Sequence, residues 1–368
     1  RYSGQWQKVA EERIDEYLRA NYSRRFVHLE QSPAYHLFVT IRLASVLRFL
    51  EANEFPVPAR LARVVAGAVA VCPYIRRPDG SAPMIGDTSA FPKPKDFEET
   101  HHRLLGRRPS SIAPEDRLNP RSDGSTAFVD VESGYALYSD HSPSPERKAD
   151  RRTFHVAVKC NTFESPHYHH DAGSFVVWWE GLEWIIDPGY YSMEEHTVER
   201  QFMRSARAHN VVIVDGADFG FRPFRVVDVF RRPSGDGLEM EHDLGSVVHR
   251  RRVVVNPVAR RIEIRDRLES VDGRSHQVTQ LLHLHPKLEV VARDGRIEAR
   301  AGERTLSVIR AGDRRPEILR GDDRDGQPAA WYSPDYLVRE PSWLLRWTET
   351  VEHRLDMTLL LAFDRESG

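Results

Sequence analysis

The sequence predicts an α+β protein in two parts, a partial α/α toroid of helical hairpins followed by an antiparallel β-sandwich. Three observations carry that expectation. Apolar residues recur at spacings of three and four through the first hundred positions. From Gly106 to Ser125 the chain is crowded with Pro, Ser, Asp and Arg and loses that period, as a linker does. Beyond it, short β-branched or alternating segments follow one another without helices between them. A length of 368 residues is too great for one ordinary core, so the expected units are a helical domain over 1–105, a linker over 106–125 and a β-sandwich over 126–368.

The first helix is expected around Trp6, Val9, Ala10, Ile14, Tyr17 and Leu18, which form one buried stripe. A second is announced by Ser32-Pro33, an N-cap followed by proline at the first helical position, where a missing N–H breaks no bond. Its apolar positions are Phe38, Val46, Leu47 and Leu50. A third runs from Pro58 to about Cys72 with Leu61, Val64, Val65, Ala68 and Val69, ahead of a turn at Pro78-Asp79-Gly80. Short connections between them imply antiparallel neighbours. In the second half, strands are expected at Thr153–Val158, Val211–Val214, Val253–Val255, Arg261–Ile264, Gln277–His283, Leu306–Ile309 and Thr358–Ala362. Strands separated by turns rather than helices fold as antiparallel layers.

Composition excludes some functions. Hydrophobic residues at 40% and charged residues at 29% give a folded globular profile. With 53 basic against 55 acidic side chains there is no bulk field for nucleic-acid phosphates, so no nucleic-acid partner is expected. No apolar run approaches the roughly 20 residues of a membrane span. Cys72 and Cys160 are far apart and form no CxxC pattern, which gives neither a disulfide framework nor a thiolate metal site. Six of the 53 basic residues are Lys, leaving 47 Arg. A GC-rich genome explains that skew, and so does bidentate binding of carboxylates along an acidic glycan. The chain opens at Arg1-Tyr2-Ser3 without an initiator Met or secretion signal, as a piece of a longer precursor is expected to. Oligomeric state leaves no signal.

The chemistry concentrates in Pro166-His167-Tyr168-His169-His170-Asp171, then Ile186-Asp187-Pro188-Gly189, then Ala208-His209-Asn210. On an extended segment His167 and His169 point the same way while Tyr168 faces the other. Asp187 closes the apolar run Trp184-Ile185-Ile186, and His209 precedes the strand from Val211, so both lie where strands meet loops. Two imidazoles and a carboxylate suit zinc, with a fourth position left open. A solvated histidine cluster is the alternative that spacing alone leaves open.

These runs, together with Arg204-Ser205-Ala206-Arg207, Asp187-Pro188-Gly189-Tyr190-Tyr191 and, in the helical half, Glu30-Gln31-Ser32-Pro33-Ala34-Tyr35-His36 and Ile85-Gly86-Asp87, resemble the signature of the heparinase II/III-like family and related alginate lyases. The resemblance spans both halves. It implies a toroid packed on a β-sandwich, with a uronic acid-containing polysaccharide bound between them and cut by β-elimination. It implies zinc ligands at His169, Asp187 and His209, a catalytic His167 and a catalytic Tyr35. Arg204, Arg207 and Tyr191 become candidate substrate contacts. Related lyases also neutralise the uronate with an Asn or His from an earlier helix, which by family spacing lies upstream of Arg1. Some carry a second tyrosine after the Asp-Pro-Gly turn; here Tyr190 and Tyr191 follow it, whereas Met193 and Phe202 lack a hydroxyl.

The reaction explains the residue types. The C5 proton of a uronate is weakly acidic, so its carboxylate must be neutralised before a base removes the proton and an acid protonates the departing O4. Histidine titrates near neutrality, and tyrosine needs its pKa of about 10 brought down to act as a base. At the start of a helix, Tyr35 is expected to gain that lowering from the positive end of the helix dipole. Without the resemblance, Tyr35 reads as a packing aromatic. Two other classes remain open, a catalytically inactive zinc-containing glycan-binding protein and a zinc-dependent glycan hydrolase. A periplasmic or secreted location follows from the substrate class only.

Overall fold

The computed structural model describes residues 2–89, 125–140, 153–222, 224–312, 314–321, 323 and 328–365. Most of the expected linker, and the expected helical domain beyond residue 89, lie outside these. Three helices form the first part: α1 (Tyr2–Asn21), α2 (Pro33–Ala52) and α3 (Ala59–Ile75). Ser32 caps α2, its Oγ accepting from the Tyr35 N–H at 3.4 Å, and Pro33 takes the first position. Helix α3 continues past Cys72 through Pro73, because a proline in the last turn removes only one backbone bond.

Two of the three expected stripes are corrected. Phe38 is 51% exposed and Val46 37%, and the buried face of α2 is instead His36, Leu37, Thr40 and Ala44. On α1, Trp6 is 69% exposed and Leu18 is the fully buried member of the stripe. The reason is the central place of α3. Its Leu61, Val64, Val65, Ala68 and Val69 cluster with Leu18 near the end of α1, with Tyr22 just beyond it and with Ala44 of α2. Its other end, at Val71 and Ile75, packs on the β half.

That half is two antiparallel sheets. One holds β1 (Thr126–Asp130), β2 (Tyr135–Ser139), β3 (Phe154–Lys159), β4 (Phe175–Trp179), β5 (Leu182–Ile185), β6 (Val212–Val214), β11 (His276–Leu284), β15 (Glu317–Arg320) and β18 (Trp343–Val351). The other holds β7 (Phe224–Arg232), β8 (Gly235–Asp243), β9 (Val247–Asn256), β10 (Arg261–Ser270), β12 (Glu289–Arg293), β13 (Arg296–Ala301), β14 (Arg304–Arg310) and β19 (Arg354–Arg365). A small ladder pairs β16 (Trp331–Tyr332) with β17 (Glu340–Pro341). The first sheet runs β1-β2-β3-β4-β5-β11-β18-β15, with β6 beside β11; the second runs β12-β13-β14-β19-β10-β9-β8-β7.

Side-chain patterns match these two environments. Strands β9 and β10 alternate between buried and more exposed positions, as strands with one solvated face do. Strands β1 to β4 are buried at every position. Their inner face meets the second sheet, where Trp179 stacks on Phe363 at 4.5 Å, and their outer face meets the helices, where Val71, Ile75 and Val27 pack on Phe128, Leu137 and Val176. The helical part therefore lies directly on the sheet whose loops carry the histidine motif.

Candidate active site and metal centre

The loop between β3 and β4 carries His167, His169 and Asp171 without strand pairing. Alternation still operates. His167 Nδ1 and His169 Nε2 each lie 2.9 Å from one oxygen of Asp87, while Tyr168 turns away beneath the Arg204 guanidinium at 4.0 Å. The loop is pinned by Thr162 Oγ1 donating to the His169 carbonyl at 3.1 Å and by the His170 N–H donating to the Arg204 carbonyl at 2.8 Å. Gly86, at φ +57°, lets the Asp87 segment pass between two backbones: an added Cβ would sit 2.5 Å from the Gln31 carbonyl oxygen and 2.8 Å from that of His167.

Asp87 joins three side chains. Besides the two histidines it takes both terminal nitrogens of Arg200, which is buried in α4 (Val198–Arg204) behind its Thr197 cap. Burial pushes the Asp87 carboxyl up, but hydrogen bonds from His167, His169 and Arg200 outweigh that and hold it well below the usual carboxylate range.

His169, Asp187 and His209 form the candidate metal centre, each offering a ligand atom within 4.8 Å of the others. Asp187 follows β5; its Oδ2 lies 2.8 Å from His209 Nδ1, and its Oδ1 accepts the Gly189 N–H at 3.2 Å. The backbone beside the candidate ligands Asp187 and His209 is locked from beneath. Asn210 Nδ2 donates to the Ile186 and Phe175 carbonyls at 2.8 Å each, and its Oδ1 accepts the His283 N–H at 2.6 Å. Arg251, paired with Asp266 at 2.7 Å and 3.0 Å, donates to the Gly173 carbonyl at 2.8 Å and the Asn210 carbonyl at 2.6 Å.

The donor set fits a cation. His169 spends Nε2 on Asp87, so its Nδ1 is buried without a partner among the described residues. A carboxylate on one ring nitrogen with metal on the other is the usual way of fixing a ligating histidine. Burial pushes Asp187 up to about 7 and His209 down to about 4, and it lowers His169. Each group is thus driven towards its neutral form in the absence of a compensating positive charge. Asp171 is also buried beside them, with neither carboxylate oxygen hydrogen-bonded among the described residues.

Tyr35 reaches the same place from the helical side. Its ring stacks on His167 with centroids 3.5 Å apart and planes at 21°. Glu30 Oε2 lies 3.8 Å from His167 Nε2 and 3.9 Å from His28 Nδ1. The expected lowering of the Tyr35 pKa is overturned: it is raised, first by burial and then by the negative charges of Asp87 and Glu30, against a smaller opposing effect of Arg200. Burial, followed by the two nearby carboxylates, outweighs the helix end.

The other candidates divide. Arg204 pairs with Glu195 beside this group. Arg207 does not join it; the extended Ser205 separates α4 from the 3₁₀ turn Ala206–Ala208, and Arg207 lines a different cavity with Phe202, Gln277 and Arg346. Tyr191 is turned by its left-handed backbone, φ 58°, onto Phe202, Met203 and Trp331. Tyr190 is the tyrosine that feels the charges of Asp87 and Tyr35, and burial followed by Asp335 raises its pKa. Asp87, Arg200, Glu30 and Glu195 were given no role by sequence reasoning. Asp87 and Glu30 stand inside runs that carry the family resemblance, which was the available signal; Arg200 and Glu195 had none.

Residues 96–344 match the heparinase II/III-like C-terminal family, well over half of the chain. The chain belongs to the heparinase II/III-like family. No curated protein sequence matches it. Among solved structures, a heparinase III superposes on this family member with a TM-score of 0.80 at 16% identity, covering 99% of this chain and 56% of the other. A heparan sulfate lyase from Pedobacter heparinus gives 0.76 at 14%, covering 100% and 57%, and a further heparinase III gives 0.78 at 12%, covering 99% and 58%. At these identities the likeness is one of fold, and the chain spans a little over half the length of those proteins. Among the described residues no helix is long and apolar enough to cross a membrane.

Proposed function

We propose that this family member is a polysaccharide lyase that cuts a uronic acid-containing glycan by β-elimination, with zinc held by His169, Asp187 and His209. One observation carries the reading: the Tyr35 ring and the His167 imidazole, from the two halves of the chain, stack beside Asp87. His167 is fixed through Nδ1, which leaves Nε2 to take the C5 proton. Tyr35, with its raised pKa, stays protonated at neutral pH and so can donate to the departing O4. Arg204 and Tyr190 are the proposed substrate contacts. Zinc would supply a fixed positive charge that braces the His167 loop through His169.

The hydrolase reading fits less well. All three candidate ligands are 1% exposed or less, which suits a bracing role better than a water-activating one. The acidic-glycan reading also places the protein in the periplasm or outside the cell. The full-length protein should be incubated with alginate, heparan sulfate, hyaluronan and bacterial exopolysaccharides while absorbance of the unsaturated C4–C5 uronate is followed. New reducing ends without ultraviolet absorbance would replace the lyase with a hydrolase, and neither signal on any uronate polymer would leave a binding protein.

A further inference from the structure

At the edge of the sandwich remote from β1 and β2, the β12–β14 end of one sheet faces β15 and β18 of the other across a pocket of about 140 Å³. Arg293, Arg296, Arg310, Arg314 and Arg315 line it, with Asp294 as the acidic member of its wall. Three of these cations are matched: Arg296 by Glu298 at 2.7 Å, Arg310 by Glu349, and Arg293 by Asp294 at 3.6 Å. Among the described residues, Arg314 and Arg315 have no acidic partner. The pocket thus holds unbalanced positive charge against an apolar wall of Ile297, Val308 and Ile318.

A solvated arginine patch would have its polar groups in water. Here Trp347, which also lines the pocket, is 3% exposed, and its indole N–H is buried without an acceptor among the described residues. Arg310 is buried as well, its guanidinium 5.6 Å from the Trp347 ring centre. With Arg310 already held by Glu349 and Gln280, the pocket's uncompensated groups are Arg314 and Arg315, which have no acidic partner among the described residues and call for an acceptor that carries negative charge.

We propose that this pocket binds one anionic group, a carboxylate or sulfate, borne on an acidic glycan, at a site apart from the Tyr35–His167 pair. At roughly 30 Å³ per water, its volume admits a few waters' worth of ligand, enough for one such group and part of a sugar ring but not for an oligosaccharide. The site therefore anchors a chain by a single residue while the rest stays in solvent. The identity of the glycan rests on the lyase reading above; the anion site does not.

Calorimetry on the full-length Tyr35→Phe protein, which should not consume its ligand, tests this with an acidic oligosaccharide, with inorganic sulfate and with a neutral dextran oligosaccharide. The expected result is two oligosaccharide sites per chain, reduced to one by the double substitution Arg314→Ala/Arg315→Ala, with no binding of dextran. Both positions are exposed, so the fold should survive, which circular dichroism would verify. If the cleft does not bind glycan, the same pair of proteins shows one site and then none, so failure of the lyase reading is distinguishable. Unchanged stoichiometry and affinity in the double variant would overturn the proposal. Inorganic sulfate binding as tightly as the oligosaccharide would overturn its assignment to a glycan.

Discussion

The rings of Tyr35 and His167 lie 3.5 Å apart, although one stands in the first turn of a helix and the other in a loop between two strands 132 positions later. A stack of that kind survives removal of the phenol oxygen. Tyr35→Phe is therefore expected to keep the melting temperature close to wild type while lowering ultraviolet-absorbing product formation by roughly two to four orders of magnitude, the usual contribution of a positioned acid or base. Near-normal product formation by the full-length variant would sink the assignment.

Neighbouring histidines should separate in metal content. His169→Ala and Asp187→Ala remove ligands and are expected to abolish zinc, whereas His167→Ala, whose Nδ1 is occupied by Asp87, should retain about one zinc per chain and lose turnover. Elemental analysis of the three purified proteins decides this. Zinc loss in His167→Ala would make it a ligand instead.

Asp87→Asn changes almost no volume but removes the charge shared by His167, His169 and Arg200. Metal affinity should fall by roughly 10–100-fold, as when the partner of a ligating histidine is lost. Stability should fall too, because Arg200 is left buried and poorly compensated, at a cost of about 3–5 kcal/mol. Because the folded pKa of Asp87 lies below its ordinary value of 3.8, the wild-type contribution is present above that pH and is lost as pH falls towards the folded value. Urea titrations of both proteins should thus converge in strong acid and diverge above pH 4; parallel curves would disprove the role.

A second titration has the opposite sign. His276, 7% exposed, is gripped by Asp272 at 2.9 Å through Nε2 and by Asp215 at 2.7 Å through Nδ1, and these bonds raise its pKa while lowering that of Asp272 to about 2. A histidine with a raised folded pKa stabilises fully below its ordinary value of 6.5 and loses that contribution as pH rises through the folded value. His276→Asn should lower the melting temperature more at pH 5.5 than at pH 9. An equal drop at both would show that the imidazole acts by packing rather than by charge.

Much of this was legible in the residues. Ser32-Pro33 marked the start of α2 because capping is a local interaction, and β9 and β10 announced themselves because one solvated face imposes alternation. The alternation rule also brought His167 and His169 together, though on an irregular loop rather than a strand. What failed was non-local. The outward face of α2 at Phe38 and Val46 cannot be told from a buried face until the position of α3 is known. Arg200 meets Asp87 from 113 positions away, and no spacing encodes that meeting. Tyr191 was the expected substrate contact, and only the fold shows that its left-handed backbone packs the ring with Phe202, Met203 and Trp331.

The seam between the helices and the first sheet is stitched by contacts that belong to neither side alone: Ser23 to Asp130, Arg25 to the Val129 carbonyl, Arg77 to Glu183, Lys159 to Gln31, and Arg200 to Asp87. Tyr35 and His167 stand on its two banks. The proposed Tyr35–His167 pair is consequently not a transplantable cassette. A chimera that joined the helices of one family member to the sandwich of another would inherit both side chains yet misalign them unless the stitching residues travelled in matched sets. Within this architecture, new specificities are more accessible by changing loops that lean over the seam than by exchanging whole halves.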